Sequence, residues 1–155
     1  MLFRSGRVTR APGLGPQAFQ KLYQDPLAAF APHLPLRTAM HDLMALHRLP
    51  VAALAALLER LALNDALLDR RPAQVSGGEL QRMALARVLL LQPALVFADE
   101  PTSRLDPITQ QQTLALLTST LEERGGALLL VTHDPALARH VCARCIEVGA
   151  SQLAG

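Results

Sequence analysis

Asp99 and Glu100 stand side by side at the end of a short apolar run, Leu95-Val96-Phe97-Ala98. Such a run is the pattern of a strand buried on both faces of a parallel sheet. In open α/β sheets, ligands bind beyond the carboxyl ends of the strands. Neighbouring residues there point different ways, so the two acids can divide the work. One helps to hold a hard cation such as Mg²⁺, largely through water, while the other orients and deprotonates an attacking water. Read alone, the pair is equally well described as an exposed strand end without chemistry. A second stretch, Ser76-Gly77-Gly78, runs into residues 79–91, which have helical composition and no internal Gly or Pro. A helix entered in this way presents unpaired N–H groups and the positive end of its dipole. Glycines let an anion approach that backbone closely, so the stretch reads as a phosphate-binding terminus. An ordinary N-cap followed by a turn is the plainer reading of the tripeptide by itself.

The elements that must position these residues follow from periodicity and punctuation. Residues 18–23 read as a short strand closed by Gln24-Asp25-Pro26, and Ala127–Val131 as a second buried apolar strand ending in Thr132-His133-Asp134. Two helices are expected over 38–48 and 51–63, with Pro50 suited to the first turn of the second. Leu54, Leu57, Leu58 and Leu61 repeat at helical spacing and form its packing face. A helix over 107–123 is opened by Asp106 and Pro107 and broken by Gly125-Gly126. A short helix over 135–141 and a last strand over 144–148 complete the pattern. Strands alternating with helices specify an α/β domain with a parallel sheet.

Composition bounds the function. The 155 residues fit one domain with a sufficient core, half of them are hydrophobic, and only 3% are aromatic. The formal net charge of +2 gives no basic footprint for nucleic acid. No apolar run approaches the roughly 18 residues that span a bilayer, and no long apolar segment of signal-peptide type stands at the N-terminus. His33, His41 and His47 have no carboxylate or cysteine at ligand spacing and read as surface or packing residues. Cys142 and Cys145, with His140 just before them, form a single Cys-x-x-Cys. A metal or redox site is the alternative reading, but only one such pair exists and a closed zinc site needs four ligands, so both are expected to be buried structural thiols. Residues 1–16 carry scattered Arg4, Arg7 and Arg10 and the loop chemistry of Ala11-Pro12-Gly13-Leu14-Gly15-Pro16. The Gly-x-Gly there is followed by no Gly-Lys-Ser/Thr, and Lys21, the only lysine, lies between Gln20 and Leu22. A P-loop needs that lysine and hydroxyl, so the sequence contains no Walker A motif.

Val75-Ser76-Gly77-Gly78-Glu79-Leu80-Gln81-Arg82 resembles the signature motif of ABC-transporter ATPase subunits. Leu95-Val96-Phe97-Ala98-Asp99-Glu100-Pro101-Thr102-Ser103-Arg104-Leu105-Asp106 resembles their Walker B strand running into the D-loop. The resemblance implies a partial P-loop NTPase (ABC ATPase) fold, a parallel sheet core with a small helical subdomain. It divides the chain into an N-terminal remnant with the Q-loop (1–26), a helical subdomain (27–74) and a core of signature, Walker B, D-loop and H-loop (75–155). Gln24 falls at the Q-loop position and is implied to contact metal and attacking water. Ser76, Gly77 and Gly78 would grip the γ-phosphate of an ATP held by a second ABC ATPase subunit, and Glu79 would belong to the same cofactor-binding set. Asp99 would support Mg²⁺, Glu100 would be the general base, Asp106 would signal across the dimer, and His133 would be the switch histidine at the γ-phosphate. Gln24-Asp25-Pro26-Leu27-Ala28-Ala29-Phe30-Ala31-Pro32 is similar to the oligopeptide, dipeptide and nickel importer branch. Ala29 and Ala31 replace the Ser and Asn common there.

The family resemblance further implies ATP and Mg²⁺ as ligands, transmembrane permease subunits as partners, and a cytoplasmic location on the inner face of the membrane. It also leads to the expectation of an N-terminally truncated chain, inactive alone and with part of its sheet uncovered. Two alternatives stay open: a soluble ABC ATPase without a transporter, and a non-enzymatic module that lends its signature to a complete partner.

Overall fold

The computed structural model describes residues 12–148. The expectations for Arg4, Arg7, Arg10 and the beginning of the N-terminal remnant lie outside the described residues. Three strands, β1 (Phe19–Leu22), β2 (Leu95–Asp99) and β3 (Ala127–Val131), form one sheet in the order β1-β2-β3, and both neighbouring pairs are parallel. Parallel neighbours require crossovers. Helices α1 (Leu36–His47), α2 (Val51–Arg60) and α3 (Gly77–Leu90) lie between β1 and β2, α4 (Pro107–Glu122) lies between β2 and β3, and α5 (Pro135–Val141) follows β3.

The α3 helix is the centre of the packing. Leu80, Met83, Ala84, Leu85, Ala86, Val88, Leu89 and Leu90 are all buried, so it is apolar nearly all round, as expected of a helix enclosed by neighbours. It packs against α1, α2, α4 and β1. Leu54, Leu58 and Leu61 are buried and Leu57 is packed against them, so the expected face of α2 enters the same apolar core as Leu36 and Met40 of α1. Each fully buried Leu or Met there contributes about 1.5–3 kcal/mol relative to exposure. Arg37 of α1 is tied to Asp69 at 2.6 Å and Asp65 at 3.1 Å, a surface clasp between the helical region and the turn leading to the signature stretch.

Four expectations are corrected. Strand β3 is not buried: its residues alternate between exposed and half-buried, with Leu129 at 53% and Val131 at 43% exposure. Strand β2 buries only the face carrying Val96 and Ala98, because the described helices cover one side of the sheet and leave Phe97 half-open on the other. No strand forms over 144–148. That segment joins neither sheet edge, and Ile146 and Val148 are each 74% exposed. With no strand to bury them, the cysteines are accessible too: Cys142 is half-buried and Cys145 exposed. In smaller respects, Pro50 caps α2 from outside rather than beginning it, and α2 ends at Arg60 instead of 63. His33 and His41 are exposed and His47 is half-buried. Among the described residues no helix is long and apolar enough to cross a membrane.

Candidate functional site

Strand register brings the predicted polar residues to one edge. Leu22 is opposite Ala98, Ala98 opposite Leu130, and Asp99 opposite Val131. The chain therefore leaves all three strands on the same side, through Gln24, through Glu100 and through His133. The Glu100 N–H donates to Val131 O at 2.9 Å, which carries the ladder one residue past Asp99. Glu100 then adopts φ 46°, the left-handed region that a side-chain-bearing residue seldom occupies. That reversal turns the chain into buried Pro101 and Thr102 and lifts the Glu100 carboxylate off the strand line.

His133 meets it there. Both the His133 N–H and its ring Nδ1 lie 2.7 Å from Glu100 Oε1. An ionised carboxylate can only accept, so the ring donates through Nδ1 and keeps Nε2 for another partner. Glu100 Oε1 is thereby engaged twice, and Oε2 is the oxygen left to act on a reactant. The glutamate side chain is 17% exposed and the histidine 86%, so the pair joins a sheltered acid to an open imidazole. Asp99, one residue earlier, is half-buried, and Gln24 is exposed beyond β1.

The signature stretch lies against the loop that follows Glu100. A Cβ added to Gly77 would stand 3.5 Å from Arg104 Cδ, and one on Gly78 would stand 3.2 Å from Leu105 Cδ2. The second contact is tight, which gives Gly78 a packing reason besides ligand access. Ser76 is the N-cap of α3, and the Glu79 N–H donates to its Oγ at 3.3 Å. Glu79 closes a capping box, its Oε2 accepting from Ser76 Oγ at 2.6 Å and Ser76 N–H at 3.1 Å. Hydrogen bonds from the Ser76 hydroxyl and backbone hold the Glu79 carboxyl below its ordinary range. Glu79 thus shapes the terminus and turns its charge on Ser76. The first-turn N–H groups of Gly77 and Gly78, which have no intrahelical acceptor, are what an anion would meet.

Asp106 is likewise a cap. Its Oδ1 accepts from Ile108 N–H and Thr109 N–H, each at 3.1 Å, and bonding from Thr109 keeps its carboxyl low. Sequence reasoning missed one link: Arg104 pairs with Asp25 at 3.3 Å and joins the Gln24 turn to the loop after Glu100. Opposite charges next to two singled-out motifs were the available signal, but no local pattern brings such distant residues together.

The donor set suits a hard cation. Carboxylate and amide oxygens of Asp99 and Gln24 share an edge with Glu100, and the described residues contain no cluster of three or more His, Cys, Asp or Glu able to hold a metal. Mg²⁺ takes carboxylate and amide oxygens of this kind from one or two residues and completes its shell with water and substrate phosphates. The edge is an open surface. Cavities of about 270 and 310 Å³ lie instead beside α4 and α5, away from Glu100.

The family model described as "ABC transporter" matches residues 17–103. The nickel import ATP-binding protein NikE of Escherichia coli O6:K15:H31 is 36% identical over 139 residues, 86% of this chain and 52% of its own length. The macrolide export ATP-binding/permease protein MacB of Syntrophobacter fumaroxidans is 48% identical over 91 residues, 59% of this chain and 12% of its own. Among solved structures, the dimeric post-hydrolysis state of the ATP-binding cassette MJ0796 bound to ADP and Pi superposes with a TM-score of 0.67. It shares 29% identity and covers 78% of this chain and 54% of the cassette. Clostridium perfringens cbiO1, part of the transporter complex cbiONQ, gives a TM-score of 0.67 at 25% identity, covering 81% of this chain and 51% of that one. The chain therefore spans about half the length of NikE and of both cassettes.

Proposed function

The chain belongs to the ABC transporter family, and from that premise we propose that it carries the hydrolytic residues and the partner-facing signature of an ATP-driven transport subunit. The observation that carries this reading is the doubly bonded Glu100–His133 pair at the carboxyl edge of the sheet, with Asp99 one residue away. Glu100 Oε2 accepts the proton of an attacking water, which is general-base catalysis of a kind worth about 10²–10⁴ in rate. His133 fixes the other oxygen, and its Nε2 accepts from the attacking water beside the phosphate. Asp99 and Gln24 would hold Mg²⁺, which when bound neutralises charge on the phosphates. The N–H groups of Gly77 and Gly78, joined by the Ser76 hydroxyl once it turns away from Glu79, bind the γ-phosphate of a nucleotide cradled by a second ABC ATPase subunit. Asp106, on the Arg104-Leu105 loop beside that terminus, reports across the same interface.

The division 1–26, 27–74 and 75–155 gives these parts their roles, with the helical subdomain turned towards transmembrane permease subunits at the inner face of the membrane. Import of nickel, peptides or similar small solutes is the transport reading, supported by Gln24-Asp25-Pro26 and the likeness to NikE. Export is the second reading, supported by the likeness to MacB.

These 155 residues contain no Gly-x-x-Gly-x-Gly-Lys-Ser/Thr, so they supply no phosphate cradle of their own. The test is ATP binding and phosphate release by the purified chain, alone and after addition of a complete ABC cassette whose signature serine has been replaced. The chain alone should release no phosphate, and the mixture should regain turnover that the Ser76→Ala chain cannot restore. Hydrolysis by the chain alone, or no gain in the mixture, overturns the assignment of a partner-facing signature.

A further inference from the structure

The Cys-x-x-Cys that sequence reasoning places in the interior is on the surface, and it stands apart from the nucleotide chemistry. Cys142 ends α5 with extended backbone (φ −109°, ψ 134°), and the chain bends at Ala143 before reaching exposed Cys145. We propose that Cys142 and Cys145 form a reversible intramolecular disulfide, a redox site at the exit of α5.

Three features support it. A fully extended four-residue segment would hold the two Cα atoms roughly 10 Å apart, beyond the ~7 Å limit for a bridge, but the bend at Ala143 shortens that span. Residues 144–148 make no sheet ladder, so no backbone pairing opposes the remaining adjustment. Cys142 and Ala143 also line an open cavity of about 310 Å³ with Leu121, Gly126 and Leu128, which admits a small reagent to the less exposed sulfur. Partial burial, and the neighbouring Cys145 after it, raise the Cys142 thiol above its ordinary range.

The order of events follows. Cys145, the exposed thiol, attacks a small-molecule disulfide as thiolate, forms a mixed disulfide and expels one thiolate. Cys142 is less often ionised but intrinsically more nucleophilic for its higher pKa. It attacks the Cys145 sulfur and expels the second thiolate. Two protein thiols are oxidised, one reagent disulfide is reduced to two thiols, and the two protons pass to those leaving thiolates.

The experiment incubates the folded full chain with oxidised glutathione, blocks remaining thiols with iodoacetamide and maps the peptides by mass. The expected result is loss of both alkylatable thiols, a Cys142–Cys145 link within one peptide and full recovery with dithiothreitol. Cys142→Ser should then stop at glutathionylated Cys145, which shows that the second step needs its partner even if closure in the native chain is slow. Two free thiols, a stable mixed disulfide on the unsubstituted chain, or a Cys145–Cys145 dimer would each overturn the proposal.

Discussion

Glu100 combines an uncommon backbone state with a doubly satisfied carboxylate oxygen. A φ of 46° on a residue with a side chain costs of order 1 kcal/mol. The N–H bond to Val131 O and the two contacts from His133 hold it there. Glu100→Gln keeps the shape and removes the proton acceptor. In a chimaera that places a cassette's P-loop segment ahead of this chain, it should lower phosphate release about 10²–10⁴-fold and leave urea unfolding little changed. His133→Ala should lower release as well, since it frees Oε1 and removes the Nε2 acceptor for the attacking water. Ser76 carries a separate prediction. Replacing it with Ala removes the N-cap of α3 and should cost about 1 kcal/mol in urea denaturation.

Glu79 and Asp106 give the pH dependence. Both carboxyls are held below their ordinary values of 4.5 and 3.8 in the folded chain. The unfolded chain therefore binds more protons than the native one in that range, and stability rises with pH through it. Their contribution is fully present above about pH 5 and is lost as pH falls through the folded values. Thermal unfolding between pH 5 and 3 should show a falling midpoint, and Glu79→Gln should flatten part of the fall.

At the scale of elements, the helices decide where the site stands. Three begin on side-chain caps, Ser76 for α3, Asp106 for α4 and Asp134 for α5, and each cap directly follows or belongs to a motif residue. The same short polar residues that start the helix thus fix the exit angle of the functional loop. Helix α4 is held by Leu114, Leu117 and Leu121, each buried. Leu117→Ala should cost about 2–5 kcal/mol, read as a shift of the urea midpoint. Because α4 begins at Asp106, the same variant should weaken any partner interaction made by the loop 103–106.

At the scale of the whole molecule, the sheet is dressed on one side. Val96 and Ala98 are fully enclosed beneath the helices, whereas Phe97, Leu129 and Val131 look outward on the other face. Leu129→Ala should therefore cost less than about 1 kcal/mol in the same urea assay, against the larger cost at Leu117. Equal costs would mean that the outer face is covered in solution.

The sequence by itself determined the strand and helix types, the order of motifs, and the residues placed at strand ends. Apolar runs, caps and glycine breaks are local signals, and parallel register follows once the strands alternate with helices. Ser76, Asp106 and Pro107 could be read as helix starts for the same reason. Only the tertiary structure decided the rest. That one Glu100 oxygen takes both His133 contacts, that Arg104 reaches Asp25, and that Gly78 touches Leu105 all depend on chain crossings that no local pattern encodes. The fate of 144–148 and of Cys142 and Cys145 was illegible for a related reason. An apolar run becomes a buried strand only when a sheet edge receives it, and whether one does is a property of the packed molecule.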